Sequence, residues 1–242
     1  MHSRKPAFEA VFSLYNRRLL KKHFHHVSCE NNWRPSGRGA LFLINHSSWW
    51  DSLVLFQLNR ELLRTDGYAL MSEEGLRRFP FFRKIGAFPV NAASYTSVLR
   101  SLKEAAVLLN SGKCLFLFPQ GDEFHLDIRP LQFQSGAAFL LKEAPHCDLV
   151  PVTFYHTLLH EQHPEFFIRV GSSLAFDSQV PRKELTIQLE NQLTEQLDGL
   201  KNDVMNEKTE SFRPVVRGRE TIGDRWYSIK QSLPRLFGRA GR

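Results

Sequence analysis

The sequence predicts an α/β fold: a single layered domain with a mainly parallel central sheet flanked by helices, and amphipathic helices at the chain termini. Short, continuously apolar runs at residues 40–44, 114–118 and 149–154 are typical of strands buried on both faces. Segments with a helical period separate these runs, as in βαβ units. The composition agrees, because 42% hydrophobic and 24% charged residues are ordinary for a globular domain.

Each element follows from its local pattern. Residues 6–26 carry apolar side chains at three- and four-residue steps with Arg and Lys on the other faces, which predicts an amphipathic helix. The other predicted elements are a strand at 40–44, a helix from 51 to about 63, a strand at 68–71, a turn and short strand at 83–91, a helix at 95–110, a strand at 114–118, a helix at 135–143, strands at 149–154 and 166–170, and a helix at 184–204.

Composition divides the chain into three parts. Residues 1–37 form an N-terminal basic amphipathic helix, residues 38–205 the α/β domain, and residues 206–242 a basic, aromatic tail. We find no internal repeat in the sequence. Three cysteines without a Cys-x-x-Cys pair favour a reducing compartment over a disulfide framework, and Cys114 within an apolar run is typical of a core thiol.

The charge and the aromatic content restrict the partners. A net charge of +7 with 20 Phe residues admits nucleic acid, an anionic membrane surface or an acidic substrate. Because cations and aromatic side chains share the segments 6–20 and 225–242, we favour peripheral contact with an anionic membrane, at its cytoplasmic face, over nucleic acid. An ordinary helix packed on the core remains the alternative for residues 6–20. No apolar stretch approaches the roughly 20 residues that span a bilayer.

The most informative segment is Asn45 to Asp51, directly after the strand at 40–44. Ligands of α/β proteins bind at the carboxyl ends of strands, and His46 lies there. Asp51 can fold back onto the imidazole if His46 precedes the next helix and Asp51 lies in its first turn, where Ser48 and Asp51 resemble a capping box. Asp51 would then fix the tautomer, and the free ring nitrogen would take a proton from a hydroxyl. The alternative is a capped helix with an incidental His.

Four segments, in order, resemble conserved blocks of one family. An Asn-His-x-x-x-x-Asp block is matched in full by Asn45, His46 and Asp51. Residues 86–91, 118–123 and 149–152 stand in the places of the second, third and fourth blocks. On these residues the chain is similar, over about 38–175, to the phospholipid/glycerol acyltransferase domain family, which includes the lysophosphatidic acid acyltransferases.

The resemblance implies a glycerol-3-phosphate acyltransferase-like fold, with residues 38–205 as the acyltransferase domain. It implies that a fatty acyl group moves from acyl-CoA or acyl carrier protein to a lipid hydroxyl, with no cofactor or metal. His46 would be the general base, Asp51 its orienting partner, and Val150 and Pro151 would line the acyl side. The residues expected to bind substrate are Asn45, Ser48, Gly86, Phe88, Asn91, Phe118, Pro119, Gln120, Gly121 and Arg129.

Gly121 has a further expected role. A turn after a strand at this edge of the sheet can present backbone N–H groups to developing negative charge, and glycine permits a close approach. A simple tight turn is compatible with the same sequence.

The departures from the family pattern bear on the acceptor. Asn91 replaces a basic residue, Gln120 replaces Glu, and Asp122–Glu123 replaces Thr-Arg. Arginine suits phosphate because its planar fork donates two charge-assisted bonds, whereas two carboxylates repel a dianion. Either Arg129, or Arg83 and Lys84, supplies the missing charge, or the acceptor carries no phosphate monoester, as in a glycolipid or a phosphodiester lysolipid.

Two other classes of function remain open. A basic, aromatic-rich module could bind nucleic acid or anionic lipid without catalysis. A hydrolase is disfavoured because the chain contains no Gly-x-Ser-x-Gly elbow. The histidines at 23, 25 and 26, and those at 156, 160 and 163, have poor spacing and poor partners for a metal site, and we assign the second group to a loop or the surface.

Overall fold

The computed structural model describes residues 4–218 of the 242-residue chain. The aromatic segment predicted at 225–242 lies outside the described residues. Eight strands form a single sheet in this part of the chain. They are β1 (His26–Asn31), β2 (Ala40–Ile44), β3 (Gly67–Ser72), β4 (Ala87–Val90), β5 (Cys114–Leu117), β6 (Asp148–Thr157), β7 (Glu165–Val170) and β8 (Arg213–Arg217).

The strand order is β4-β3-β5-β2-β6-β7-β1-β8. The pairings β4–β3, β3–β5, β5–β2, β2–β6 and β7–β1 are parallel, whereas β6–β7 and β1–β8 are antiparallel. This mainly parallel sheet between helices confirms the predicted fold class. It also places the carboxyl ends of β2, β3 and β5 side by side at one edge, where the site lies.

Helices cover both faces of the sheet. They are α1 (Pro6–His23), α2 (Asp51–Leu58), which continues as a π-helical turn at Asn59–Leu63, α3 (Glu73–Arg78), a 3₁₀ helix at Pro80–Ile85, α4 (Tyr95–Asn110), α5 (Gly136–Glu143) and α6 (Arg182–Met205). The amphipathic pattern at 95–110 predicted α4 at its observed bounds.

The apolar side chains of the central strands alternate between two core layers, because successive residues of a strand point to opposite faces. Phe42 and Ile44 pack in the layer that includes α2, whereas Leu41 and Leu43 pack in the layer beneath α4 and α5. All five residues of β2 are buried, which explains its unbroken apolar sequence.

Several elements differ from the sequence prediction. The first helix ends at His23, and His26–Asn31 forms β1, whose polar residues gave no apolar run to recognise. Neither α3 nor β8 was predicted, because both are short and rich in charge. Since β1 and β8 join the same sheet as the other strands, the α/β domain extends beyond 38–205 on both sides.

Candidate active site

His46 and Asp51 form a hydrogen-bonded pair in the turn between β2 and α2. The Nδ1 atom of His46 lies 3.0 Å from Oδ2 of Asp51, whose side chain is fully buried. A carboxylate only accepts hydrogen bonds, so Nδ1 carries the proton and Nε2 is left with its lone pair. The His46 side chain retains 16% exposure, which leaves its ring accessible.

The local sequence explains why the pair forms. Besides the imidazole, Oδ2 of Asp51 accepts the backbone N–H groups of Ser47 at 2.7 Å and Ser48 at 3.0 Å. Both amides belong to the turn that precedes α2, so the first residue of the helix fixes the turn before it. The predicted capping box is half realised, because the Ser48 hydroxyl accepts the N–H of Trp50 rather than that of Asp51.

Residues of the loop after β5 hold the same turn in place. The side-chain carbonyl of Gln120 accepts the N–H of His46 at 2.7 Å, and the N–H of Phe124 donates to the His46 carbonyl at 3.0 Å. The ring of Phe118 stacks on the imidazole, with centroids 4.3 Å apart and planes 22° apart. Three residues of the loop after β5, Gln120, Phe124 and Phe118, therefore contact His46.

A second carboxylate faces the other ring nitrogen. Oε1 of Glu123 lies 3.7 Å from Nε2 of His46, and the Glu123 side chain is half exposed. This distance is longer than a hydrogen bond, so Nε2 remains free to bind a hydroxyl. His46 thus lies between a buried carboxylate and a solvated one.

Gly121 closes the turn after β5. Its φ of +78° lies in the left-handed region that favours glycine, and its N–H donates to the Phe118 carbonyl at 3.2 Å. That N–H is used within the turn, so the geometry corresponds to the tight-turn alternative.

A large, mainly apolar cavity opens beside the His46–Asp51 pair. Its volume is about 1290 Å³. The expected site residues His46, Phe118, Pro119, Gln120 and Gly121 line it. The lining also contains many aromatic and aliphatic side chains from α1, α2, the 3₁₀ helix, α4 and α5. A cavity of this character suits a fatty acyl chain more than a polar metabolite.

Two of the expected binding residues stabilise the backbone next to the cavity and do not line it. The side-chain amide of Asn45 donates to the Phe154 carbonyl at 3.0 Å and accepts the Phe154 N–H at 2.8 Å. Asn45 therefore links the end of β2 to β6 and does not belong to the cavity wall. Ser48 contributes its N–H to Asp51 and its hydroxyl to the turn.

In the second block, Ala87 and Val90 line the cavity, whereas the expected binding residues Gly86, Phe88 and Asn91 do not. Phe88 is fully buried in the core. The Asn91 amide donates to Oε2 of Glu73 at 3.2 Å. Gly86 has a φ of +102°, and a Cβ at this position would lie 2.8 Å from the Gly67 carbonyl oxygen, so only glycine fits there.

Other expected contributors also lie away from the cavity. The Arg129 guanidinium is paired with Asp198 of α6, its Nε lying 3.0 Å from Oδ1, so it does not replace the missing phosphate-binding charge. Val150 and Pro151 are buried within β6, between β2 and β7, and do not line the acyl side. Lys84 packs its ammonium 4.8 Å over the Phe8 ring.

Sequence reasoning missed His156. We assigned it to a loop or the surface, but β6 extends to Thr157 and the residue is half-buried, with its ring stacked on Phe166. Burial lowers the pKa of His156 below its usual value, while the Asp51 carboxylate acts in the opposite direction. His160, by contrast, is exposed in the following loop. Nothing in the local sequence signals that β6 extends as far as His156.

The cavity wall also contains residues that the sequence did not single out. Aromatic side chains of α1, α2 and the 3₁₀ helix come together, as in Phe12 with Phe56 and Phe81 at centroid distances of 4.9 and 5.0 Å. Arg78 and Arg182 are the arginines in this wall, within the part of the chain that the structure describes. No group of three His, Cys, Asp or Glu residues between positions 4 and 218 is arranged to hold a metal ion.

Comparison with known proteins agrees with this geometry. The crystal structure of the 1-acyl-sn-glycerophosphate (LPA) acyltransferase PlsC from Thermotoga maritima is similar, with a TM-score of 0.59, 16% sequence identity, and coverage of 80% of each chain. At this identity the match establishes a shared fold. No curated protein sequence matches the chain. The family model described as Acyltransferase matches residues 26–155, more than half of the chain, and includes His46, Asp51 and the loop after β5. The chain therefore belongs to the Acyltransferase family.

Proposed function

We propose that the protein transfers a fatty acyl group from an acyl thioester, on coenzyme A or acyl carrier protein, to a hydroxyl of a lysophospholipid or another lipid acceptor. One observation carries the proposal. His46 has its Nδ1 bound to a buried carboxylate while its Nε2 faces an apolar cavity large enough for acyl chains. Membership of the Acyltransferase family supports the reaction type, and similarity to PlsC, a 1-acyl-sn-glycerophosphate acyltransferase, supports a lipid acceptor.

The chemistry follows from the protonation of His46. Its Nε2 accepts the proton of the acceptor hydroxyl as that oxygen attacks the thioester carbonyl carbon. The C–S bond then breaks, and the imidazolium returns its proton to the thiolate, which leaves as the free thiol. Asp51 stays ionised throughout and stabilises the transient imidazolium. No covalent enzyme intermediate is needed.

The carboxylates near Nε2 favour a second candidate acceptor. Glu123 lies 3.7 Å from the nitrogen to which the acceptor hydroxyl must bind, and Asp122 is an exposed neighbour that also lines the cavity. Two carboxylates at this position repel a phosphate monoester and accept hydrogen bonds from hydroxyl groups. A glycolipid, or another acceptor without a phosphate monoester, therefore suits this loop better than lysophosphatidic acid.

The surface of α1 supports contact with a membrane. Val11, Leu14 and Tyr15 share one face of the helix and are each at least 60% exposed, and Trp49 beside them is 52% exposed. Exposed cations follow on the same helix at Arg18 and Lys21. Apolar side chains flanked by cations are the pattern of an interfacial helix on anionic lipid, here on the cytoplasmic face. Between residues 4 and 218, no helix has the length and apolarity of a membrane span.

The decisive assay measures free thiol release from palmitoyl-CoA and from palmitoyl carrier protein, each with and without acceptors. Acceptor-dependent release with formation of the acylated lipid is the expected result. Release without any acceptor would identify a hydrolase instead. No thiol release with any donor, together with saturable lipid binding, would identify a non-catalytic lipid-binding protein.

A further inference from the structure

The cavity continues over both faces of the sheet. Side chains of a strand alternate between its faces, yet four consecutive residues of β3, Tyr68 to Met71, all line the same cavity. The same holds for Phe116, Leu117 and Phe118 at the end of β5. The cavity therefore wraps around the carboxyl edge of these strands and has one arm on each face.

The first arm lies on the α1 and α2 face, and we name it the aromatic arm. Phe8, Phe12, Phe56 and Phe81 line it. Its wall continues to the surface through Tyr15 and Trp49, which line the cavity and belong to the exposed apolar patch of α1. A lipid that leaves a membrane in contact with that patch would enter here.

The second arm lies on the α4 and α5 face, and we name it the aliphatic arm. Leu70, Leu99, Leu102 and Leu117 line it, and Phe139 closes one side. Arg182, the first residue of α6, lines this arm with its guanidinium 5.6 Å over the Phe139 ring, and its side chain is exposed. This arm thus combines an apolar interior with a cation at its solvent side.

The catalytic pair lies where the two arms meet. His46 follows β2, the neighbour of β5, and its ring stacks on Phe118 at the edge around which the cavity turns. A single bound small molecule usually occupies a pocket of about 300–1,000 Å³. At about 1290 Å³, this cavity exceeds that range and has room for two chains.

We propose that the two arms hold the two lipid chains of one reaction, the acceptor's chain in the aromatic arm and the donor's acyl chain in the aliphatic arm. The proposal rests on the acyl transfer proposed above and specifies its substrate sites. Donors on coenzyme A and on acyl carrier protein both carry a phosphopantetheine phosphate, and Arg182 provides a cation for it beside the aliphatic arm. Arg78, the other cavity arginine, lies 5.3 Å over the Phe79 ring on the α1 side, where it would face membrane phosphates.

Photolabelling tests the assignment without turnover. The His46→Ala variant is incubated with a thioether analogue of palmitoyl-CoA, or with lysophosphatidylglycerol, each carrying a diazirine at the end of its chain. After irradiation, peptide mass spectrometry locates the label. The donor probe should label α4 or α5, and the acceptor probe α1 or the 3₁₀ helix. Labels on the opposite arms, both probes in one arm, or no saturable labelling of either arm would overturn the proposal.

Two neighbouring residues of β3 provide matched variants for kinetics. Leu70 and Met71 are both half-buried cavity residues on opposite faces of the strand. Leu70→Trp should lower kcat/KM for a C16 donor relative to a C8 donor by at least about tenfold, and Met71→Trp should do the same for acceptor chain length. If both variants shift the same profile, the two-arm assignment is wrong. Wild-type turnover, measured alongside, separately tests whether the protein is an acyltransferase on lipids at all.

Discussion

The side-chain carbonyl of Gln120 accepts the backbone N–H of His46 at 2.7 Å, and Gln120 itself is only 4% exposed. The residue at this position therefore holds the main chain of His46, the proposed general base, and needs only an acceptor oxygen. An amide provides that oxygen without burying a charge. Gln can therefore replace the Glu that occupies this position in the family that the chain resembles.

Substitution at Gln120 tests this role. Gln120→Leu removes the acceptor and leaves the His46 N–H unpaired, which should lower the free energy of unfolding by about 1–3 kcal/mol and reduce kcat. Gln120→Glu keeps the acceptor and should retain the fold and most of the activity. Urea unfolding and acyl transfer assays measure both effects. A Leu variant with unchanged stability and turnover would refute the role.

Substitutions of the pair test the proposed chemistry. His46→Ala removes the general base, and Asp51→Asn allows an amide N–H to face Nδ1, which places the imidazole proton on Nε2 and blocks it as a base. Each change should lower kcat by about 10²–10⁴-fold. His146→Ala changes an exposed histidine outside the cavity and should leave kcat unchanged. Wild-type turnover in His46→Ala, with the fold verified by circular dichroism, would exclude the mechanism.

The acidic loop predicts the acceptor preference. Replacing Asp122 by Thr and Glu123 by Arg restores the residues of the resembling family and changes the local charge from two negative groups to one positive group. The ratio of kcat/KM for lysophosphatidic acid to that for a glycolipid acceptor should rise by at least about tenfold, as one charge-assisted hydrogen bond contributes about 1.5–3 kcal/mol. Glu143→Arg makes a similar charge change at the exposed end of α5 and should not alter the ratio. An unchanged ratio in the double variant would mean that these residues are solvated turn residues.

Two equally exposed valines test the membrane surface. Val11 on α1 and Val107 on α4 are each 68% exposed. Val11→Asp should weaken binding to phosphatidylglycerol vesicles about tenfold, because a buried valine contributes about 1.5 kcal/mol. Val107→Asp should bind like the wild type. Equal losses in the two variants, measured by vesicle sedimentation, would argue against α1 as the contact surface.

The cysteines should be inert in the folded protein. Burial raises the pKa of Cys29 to about 12 and that of Cys147 to about 11, and it raises the pKa of Cys114 as well. Above pH 9 the unfolded chain loses these thiol protons while the folded chain keeps them, so these groups make stability fall as pH rises. At pH 8, iodoacetamide should label the urea-unfolded chain and spare the native one. Rapid labelling of native Cys29 would contradict this burial.

The fold and the contact between His46 and Asp51 could be predicted because their signals are local. His46 and Asp51 are five residues apart, and the apolar run before them fixes where the strand ends. The environment of the pair could not be predicted, because it depends on contacts across the fold. Gln120 is 74 residues from His46, and Arg129 is 69 residues from the Asp198 that pairs with it. No spacing rule connects such positions.

The division of the apolar face of α1 into buried and exposed residues could not be predicted either. The helical period of α1 predicted an apolar face but left open whether that face meets a membrane or the core. The structure divides it, since Phe12 is buried against Phe56 and Phe81 while Val11 and Leu14 are exposed. The packing of α2 and the 3₁₀ helix against α1 determines which residues fall on each side.

The Oδ2 atom of Asp51 binds both the backbone of the turn and the ring of His46. It accepts the backbone N–H groups of Ser47 and Ser48, in the turn before α2, and it binds Nδ1 of His46. The turn before α2 and the position of the imidazole therefore depend on the same carboxylate oxygen. If His46 is the proposed base, substitutions at the exposed Asp122 and Glu123 can change the acceptor alone, whereas a substitution at Asp51 changes stability and chemistry together.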